Sequence, residues 1–388
     1  MRDWMATRLA PYRSSIFEEM SDLARQYSAI DLGSGTPSLP IPEVAANALA
    51  EALAQGKNQY SPVSGEASLR EAIAAHSARF YGQRINPVDE ITVTCGVTEG
   101  IQAAMTAFVE PGDEVIVLEP CYESYAPSIL FAGGIPRPVR LHPPHFRLEP
   151  DRLAAAFSRR TKALVLNNPN NPTGRVLTCD ELEEIAALCC RFDILAIVDE
   201  VYEHIVFDNR RHIRLSTLPG MWERTLTLSG ASKTFSCTGW RVGWATGRAP
   251  LQKVLNLGRQ FSVFCAPTPL QVAVARCLGL DDQYFVGLAV EYQERRDNLL
   301  HALTASPFPP VLQPEGGFFA LAGFDTSRFA DGRACCAALA REFGVVPVPL
   351  DTFYMDPREP EPLIRFTFCQ PREVMAEAGR RLTGVRCH

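Results

Sequence analysis

Along the middle of the chain, short apolar runs alternate with longer stretches whose apolar positions recur at helical spacing. The short runs predict strands at Ile91–Cys95, Glu114–Leu118, Ala163–Asn167, Leu195–Val198, Thr225–Leu228 and Arg241–Ala245. Helical patterns lie between several of them, Gly100–Phe108 and Cys179–Cys190 among them. Thr178 and Glu181 have the spacing of a capping box at the second. This alternation predicts an α/β fold with a mostly parallel sheet covered by helices. Leu195-Ala-Ile-Val198 is apolar throughout, as a strand buried on both faces requires. The ends read differently. A short helix-like arm leads into Gly33-Ser-Gly-Thr-Pro37, then Pro40 and Pro42. Near the other end come a charged helix (Glu291–Leu303), a proline-rich turn, Gly316-Gly-Phe-Phe-Ala-Leu321, strand-like Leu363–Phe368 and a final helix from about Arg372. The expected organisation is a large domain over residues 46–288 and a smaller α+β domain built from both termini, residues 1–45 and 289–388.

Composition narrows the function classes. The 388 residues carry a formal charge of -6 with 46% hydrophobic residues, which is globular usage without the basic excess of a nucleic-acid binder. No run approaches the roughly 18 apolar residues of a membrane span. No apolar stretch follows Met1-Arg2-Asp3-Trp4 in the manner of a secretory signal. The 12 cysteines contain no CxxC and read as reduced thiols, most of them buried, so a cytoplasmic location is expected. The arginine pairs Arg159-Arg160, Arg210-Arg211, Arg295-Arg296 and Arg380-Arg381 are expected at the solvated surface, as are His142 and His145. The histidines show no metal-ligand spacing, and no metal is expected.

Several residues stand out against this background. Lys233 follows a predicted strand and lies among small residues, in Ser229-Gly-Ala-Ser-Lys-Thr-Phe-Ser-Cys-Thr-Gly239. It reads as a loop lysine or as an amine that forms a Schiff base with an aldehyde. Asp199 ends an apolar strand, where ligands of open α/β sheets bind; it reads as a helix cap or as the partner of a cationic nitrogen. Tyr202 follows three residues later. Asn167-Asn-Pro-Asn-Asn-Pro-Thr-Gly174 is a stiff turn suited to fixing one amide, that of Asn171. Gly96-Val-Thr-Glu-Gly100 joins a strand to a helix, whose free N–H groups suit a phosphate, and Arg241 can add counter-charge. Tyr122 follows another strand end and suits a flat ring. Arg365 interrupts an apolar strand and needs an anion, either a substrate carboxylate or a structural acid.

Taken together these groups fit pyridoxal 5′-phosphate, and the chain resembles the class I/II aminotransferases of pyridoxal-phosphate fold type I from about Phe17 to Leu382. Within them it is most similar to the kynurenine/glutamine/methionine aminotransferases and the overlapping cysteine-S-conjugate β-lyases. Asp199-Glu-Val-Tyr-Glu-His-Ile-Val-Phe-Asp208 and Pro219-Gly-Met-Trp-Glu-Arg-Thr225 carry that likeness. The resemblance implies a mostly parallel sheet of seven strands. It implies that Lys233 is the Schiff-base lysine, that Asp199 pairs with the pyridine nitrogen, and that Tyr202 and Asn171 meet the phenolate oxygen. Tyr122 is then the stacking aromatic, and Val97, Thr98 and Arg241 contact the phosphate. Arg365 holds the substrate α-carboxylate, with Asn171 and Gly35 beside it. Phe17, Phe264 and Phe353 shape the side-chain pocket. Tyr60 reaches the phosphate of the other subunit, so a homodimer is implied. The expected activity is conversion of an α-amino acid to its 2-oxo acid, with carbon–sulfur β-elimination of an S-substituted cysteine as the alternative. Three positions depart from the pattern. Gly230 stands where a phosphate-binding Ser or Thr is common, with Ser229 and Ser232 beside it as replacements; Cys265 replaces a frequent His, and Thr98 a frequent aromatic.

Overall fold

The computed structural model describes residues 4–10, 12, 14–356 and 361–384. Its strands, in chain order, are β1 (Ile30–Asp31), β2 (Ile91–Thr94), β3 (Glu114–Glu119), β4 (Ile135–Arg140), β5 (Thr161–Asn167), β6 (Leu195–Asp199), β7 (Thr225–Gly230), β8 (Gly243–Thr246), β9 (Phe319–Gly323), β10 (Val345–Val346), β11 (Val348–Pro349) and β12 (Leu363–Thr367). Seven of them form the main sheet in the order β2-β8-β7-β6-β5-β3-β4. The β3, β4, β5, β6 and β7 pairings are parallel, and β8 runs antiparallel to both its neighbours.

Unbroken apolar runs arise because both faces of this sheet are covered. Val115 and Val117 pack with Ile101, Met105 and Ile129 on one side. Ile116 and Leu118, one residue out of phase, pack with Leu182, Ile185 and Leu188 on the other. The helix over Cys179–Phe192 begins with the expected capping box, Thr178 accepting from the Glu181 N–H while Glu181 accepts from Thr178.

Five local readings change. Strand β4 was hidden by Pro136 and Pro138. It is an edge strand whose odd positions face β3, as the bonds Ile135 N–H to Asp113 and Leu141 N–H to Glu119 show. The two prolines point outward, where no ladder donor is needed. The strand expected from Arg241 starts at Gly243, because Arg241 sits in the left-handed region at φ 53°. The helix expected from Gly100 starts at Gly96, directly off β2, and the helix expected from Glu291 starts at Asp282 behind an Asp281 cap. Arg295 and Arg296 are buried rather than solvated. Arg295 pairs with Glu291 and donates to the Gln370 carbonyl, while Arg296 pairs with Asp208 and donates to the Pro314 carbonyl.

The two ends of the chain interleave. Strand β1 pairs in parallel with β10, and the Thr367 N–H donates to the Leu32 carbonyl. Strand β12 lies between β11 and β9, which sets Arg365 opposite Leu321 and Val348. Loops from residues 33–36 and side chains from β9 and β12 therefore meet the carboxyl ends of the main sheet's strands.

Candidate functional site

A cavity of about 400 Å³ lies at that meeting place. Val97 and Thr98 reach it after β2, Tyr122 after β3, Asn171 after β5, Asp199 and Tyr202 from the end of β6, and Lys233 after β7. Phe17, Gly35, Phe319 and Arg365 close it from the other side. This is the crevice outside the carboxyl ends of parallel strands where open sheets bind ligands.

Asp199 is buried, its Oδ2 accepting from Tyr125 Oη at 2.8 Å and its Oδ1 from the Val201 N–H at 3.1 Å. Burial pushes its carboxyl up to about 6, opposed by those two donors and by Lys233. Asn167 donates to the Asp199 carbonyl and accepts from the Asn171 N–H at 2.7 Å. Asn171 in turn accepts from Arg365 Nη1 at 2.7 Å, so a bonded chain runs from the acid to the guanidinium. Tyr202 stands edge-on to Phe318 and Phe319, its phenol pushed well above its usual range by burial and by Asp199.

The turn that carries Asp199 and Tyr202 is clamped from behind. Glu200 and Glu203 point away from the cavity and share Arg214, at 3.0 and 2.7 Å, with the guanidinium 3.7 Å over the Tyr81 ring. His76 and His204 lie against this network with their Nε2 atoms 2.7 Å apart, far separated in sequence and so invisible to spacing. Glu203 completes a His–Glu–His group, but its oxygens already accept from Tyr81, Ser229 and Arg214.

Lys233 Nζ donates to the Gly35 carbonyl at 2.8 Å. Burial lowers its amine to about 8, with Arg365 and Arg241 acting in the same direction. A larger share of neutral amine at neutral pH follows. The other lysines, Lys57, Lys162 and Lys253, are exposed.

The start of the helix Gly96–Phe108 is bare toward the cavity. Gly96 has φ 78°, and a Cβ on it would lie 2.5 Å from Nη2 of Arg241. Only glycine lets the guanidinium come down on the helix start, which joins N–H donors to a cation as a phosphate requires. Ser229 does not contribute, since its hydroxyl donates to Glu203 at 2.5 Å on the far side of the strand. Ser232 does line the cavity. Of the two replacements for the missing hydroxyl at Gly230, only Ser232 is placed to act.

Arg365 is fully buried. Its amide and carbonyl partners are Asn171 and Gly33, and the rings of Phe319, Phe353 and Phe17 stand 4.1, 4.9 and 5.1 Å from its guanidinium carbon. Nε has no partner, and among the described residues no carboxylate pairs with it. Of the two anions the sequence left open, a structural acid is not found among the described residues. Burial drags the guanidinium down to about 10.

Three expected residues lie elsewhere. Phe353 packs behind Arg365 and lines an adjoining cavity of about 1250 Å³. Tyr60 is 82% exposed and Phe264 43%; their rings meet edge-on at 5.3 Å and neither lines the 400 Å³ cavity of its own chain. Tyr125, Asn167 and Phe319 were missed. Tyr125 sits three residues after Tyr122 and opens the helix Tyr125–Phe131, but a buried tyrosine reads as core.

The sequence profile of aminotransferase class I and II matches residues 27–382. The chain belongs to that family. It is 40% identical to the probable N-succinyldiaminopimelate aminotransferase of Mycobacterium tuberculosis, over 97% of both chains. It is 38% identical to the methionine aminotransferase of Escherichia coli, again over 97% of each, and 37% to the kynurenine–oxoglutarate transaminase of Dictyostelium discoideum, over 96% of this chain and 94% of that one. The solved structure of the N-succinyldiaminopimelate aminotransferase from Mycobacterium tuberculosis superposes with a TM-score of 0.94, covering 98% of this chain and 99% of that one. The class I and II aminotransferases are pyridoxal-phosphate enzymes, and this chain is one of them. Its cavity suits the cofactor. It offers a half-buried amine, a buried carboxylate, an aromatic ring, a helix start with a cation over it, and a guanidinium whose Nε is unpartnered.

Proposed function

We propose that this aminotransferase works through Lys233, with the remaining cavity residues dividing the cofactor and the substrate between them. When bound, pyridoxal phosphate supplies an aldehyde for the substrate amine and a ring that draws electrons from its Cα. Lys233 Nζ, held at the Gly35 carbonyl with its pKa lowered, carries the cofactor and moves the Cα proton. Asp199 supplies the anion for the ring nitrogen. Tyr202 and Asn171 serve the ring oxygen, and Tyr122 covers its face. The N–H groups of Val97 and Thr98, with Arg241 and Ser232, take the phosphate. Arg365 takes the substrate α-carboxylate beside Asn171 and Gly35, and its lack of an acidic partner among the described residues is the observation that carries this reading.

Phe17, with Phe353 edge-on behind it at 6.2 Å, favours an apolar, aromatic or thioether side chain. The names of two relatives, methionine aminotransferase and kynurenine–oxoglutarate transaminase, lie in that range. Tyr60 and Phe264, exposed and paired, serve the site of a second copy, so the working form is a homodimer. Residues 46–288 form the cofactor domain, and 1–45 with 289–388 the small domain that brings Arg365 over it. No helix among the described residues is long and apolar enough to cross a membrane, and we place the enzyme in the cytoplasm.

The test is a half-reaction. Cofactor-loaded enzyme is mixed with methionine, kynurenine or an S-substituted cysteine, without an oxo-acid acceptor. One equivalent of 2-oxo acid per site and no ammonia is the expected result. Ammonia accumulating over many turnovers would make the enzyme a lyase instead.

A further inference from the structure

We infer that Tyr125 is a positioning residue for the cofactor ring, acting through Asp199 on one side and Tyr122 on the other. The inference rests on the roles proposed above for those two residues. Tyr125 opens the helix Tyr125–Phe131 and is 2% exposed. Its Oη donates to Asp199 Oδ2 at 2.8 Å, and the Val201 N–H takes Oδ1 at 3.1 Å. Two donors, one on each oxygen, fix the carboxylate's rotation. An ionised carboxylate has about four acceptor directions. The unused ones belong to an acid that lines the cavity. The ring of Tyr125 also stands edge-on to Tyr122, centroids 5.9 Å apart at 78°. One buried side chain therefore touches both the acid and the aromatic that flank the same cavity.

A phenol donating to a carboxylate favours its ionised form, because the neutral acid accepts more weakly. Burial works the other way. The groups facing Asp199 are Tyr125, Tyr122, Tyr202, Lys233 and Glu200. Lys233 favours the anion and Glu200 opposes it. Tyr125 and the Val201 N–H are its direct donors, and only Tyr125 can be altered without touching the backbone.

The experiment follows cofactor loss from the holoenzyme into a trap between pH 5 and 8, for the wild type, Tyr125→Phe, Asp199→Asn and the double variant. Phe keeps the ring against Tyr122, so the melting temperature stays close to that of the wild type. Tyr125→Phe is expected to shed cofactor about tenfold faster at pH 6.5, the size of a hydrogen bond to a charged group. The pH below which cofactor is shed rises by about one unit. In the Asp199→Asn background the same change has no further effect, because the route runs through Asp199. A purely structural tyrosine would move the melting temperature and leave the pH midpoint in place. Fast release from Asp199→Asn with wild-type release from Tyr125→Phe overturns the inference and leaves the role of Asp199 standing. Wild-type release from both variants overturns the role of Asp199 and the inference with it. Additive effects in the double variant also overturn it.

Discussion

Three charged residues in this cavity are held in unfavourable surroundings, and each is perturbed in the direction that binding would relieve. The Lys233 amine is lowered to about 8, the Asp199 carboxyl raised to about 6, and the Arg365 guanidinium lowered to about 10, burial being the largest cause each time. Burial without a counter-ion costs free energy that a structural pair would have avoided. The sequence showed these residues because charge at the end of an apolar strand, or inside one, is chemically conspicuous. It did not show Tyr125 or Phe319, because a buried aromatic looks the same whether it supports a site or fills a core. The Arg365 clamp gives a direct prediction. Arg365→Ala removes a charge-assisted bond to the substrate carboxylate worth about 1.5–3 kcal/mol, so KM for the amino acid rises by roughly 10- to 150-fold with a smaller change in kcat. Steady-state kinetics decide it, and an unchanged KM would mean that the carboxylate lies elsewhere.

At the scale of the element, the turn Asp199–Glu203 shows how one short segment serves two environments. Asp199 and Tyr202 face the cavity, while Glu200 and Glu203 face Arg214. Replacing Arg214 by Met would leave two buried carboxylates without their cation. A loss of about 3–5 kcal/mol in unfolding free energy is expected. Denaturant unfolding measures it, and a loss below about 1 kcal/mol, the size of an exposed pair, would contradict the clamp. The element scale is also where sequence reading fell short. Strand β4 lacked an apolar signature because an edge strand with two outward prolines needs none. Arg241 looked like the first residue of a strand, although its backbone is left-handed so that the guanidinium can cover Gly96. The helix start at Gly96 was placed four residues late because its first turn, Gly96-Val-Thr-Glu99, carries a single apolar residue and so shows no helical periodicity.

For the whole molecule, the decisive feature is that both ends fold together. Ile30 pairs with Val345 and Leu32 with Thr367, which carries Gly35 to Lys233 and Arg365 to Asn171. The α/β alternation of the middle was legible from periodicity alone. That both ends build one small domain was read from how they differ from the middle, but their strand pairing was not, since contacts between residues more than 300 apart leave no local pattern. The same holds for His76 and His204, brought together behind the site. Burial lowers His76 to about 4 and His204 to about 3, below the roughly 6.5 of an unfolded histidine. The unfolded chain therefore binds more protons between pH 6.5 and 4. Stability is fullest above that window and falls as pH drops through it, by up to about 1.4 kcal/mol per unit for each histidine. Melting curves from pH 7 to pH 5 are expected to show the decline, and His204→Asn to flatten it. An equal slope in the variant would assign the decline to other groups.

The measurement that bears most directly on the account is the location of the cofactor on the chain. Lys233 lines the cavity, while Lys57, Lys162 and Lys253 are exposed on the surface, so borohydride reduction of the holoenzyme followed by peptide mass mapping separates them cleanly. The account predicts one pyridoxyl group per chain, on the peptide containing Lys233, and none in Lys233→Ala. A stable adduct on any other lysine, or an adduct that survives Lys233→Ala, would contradict it.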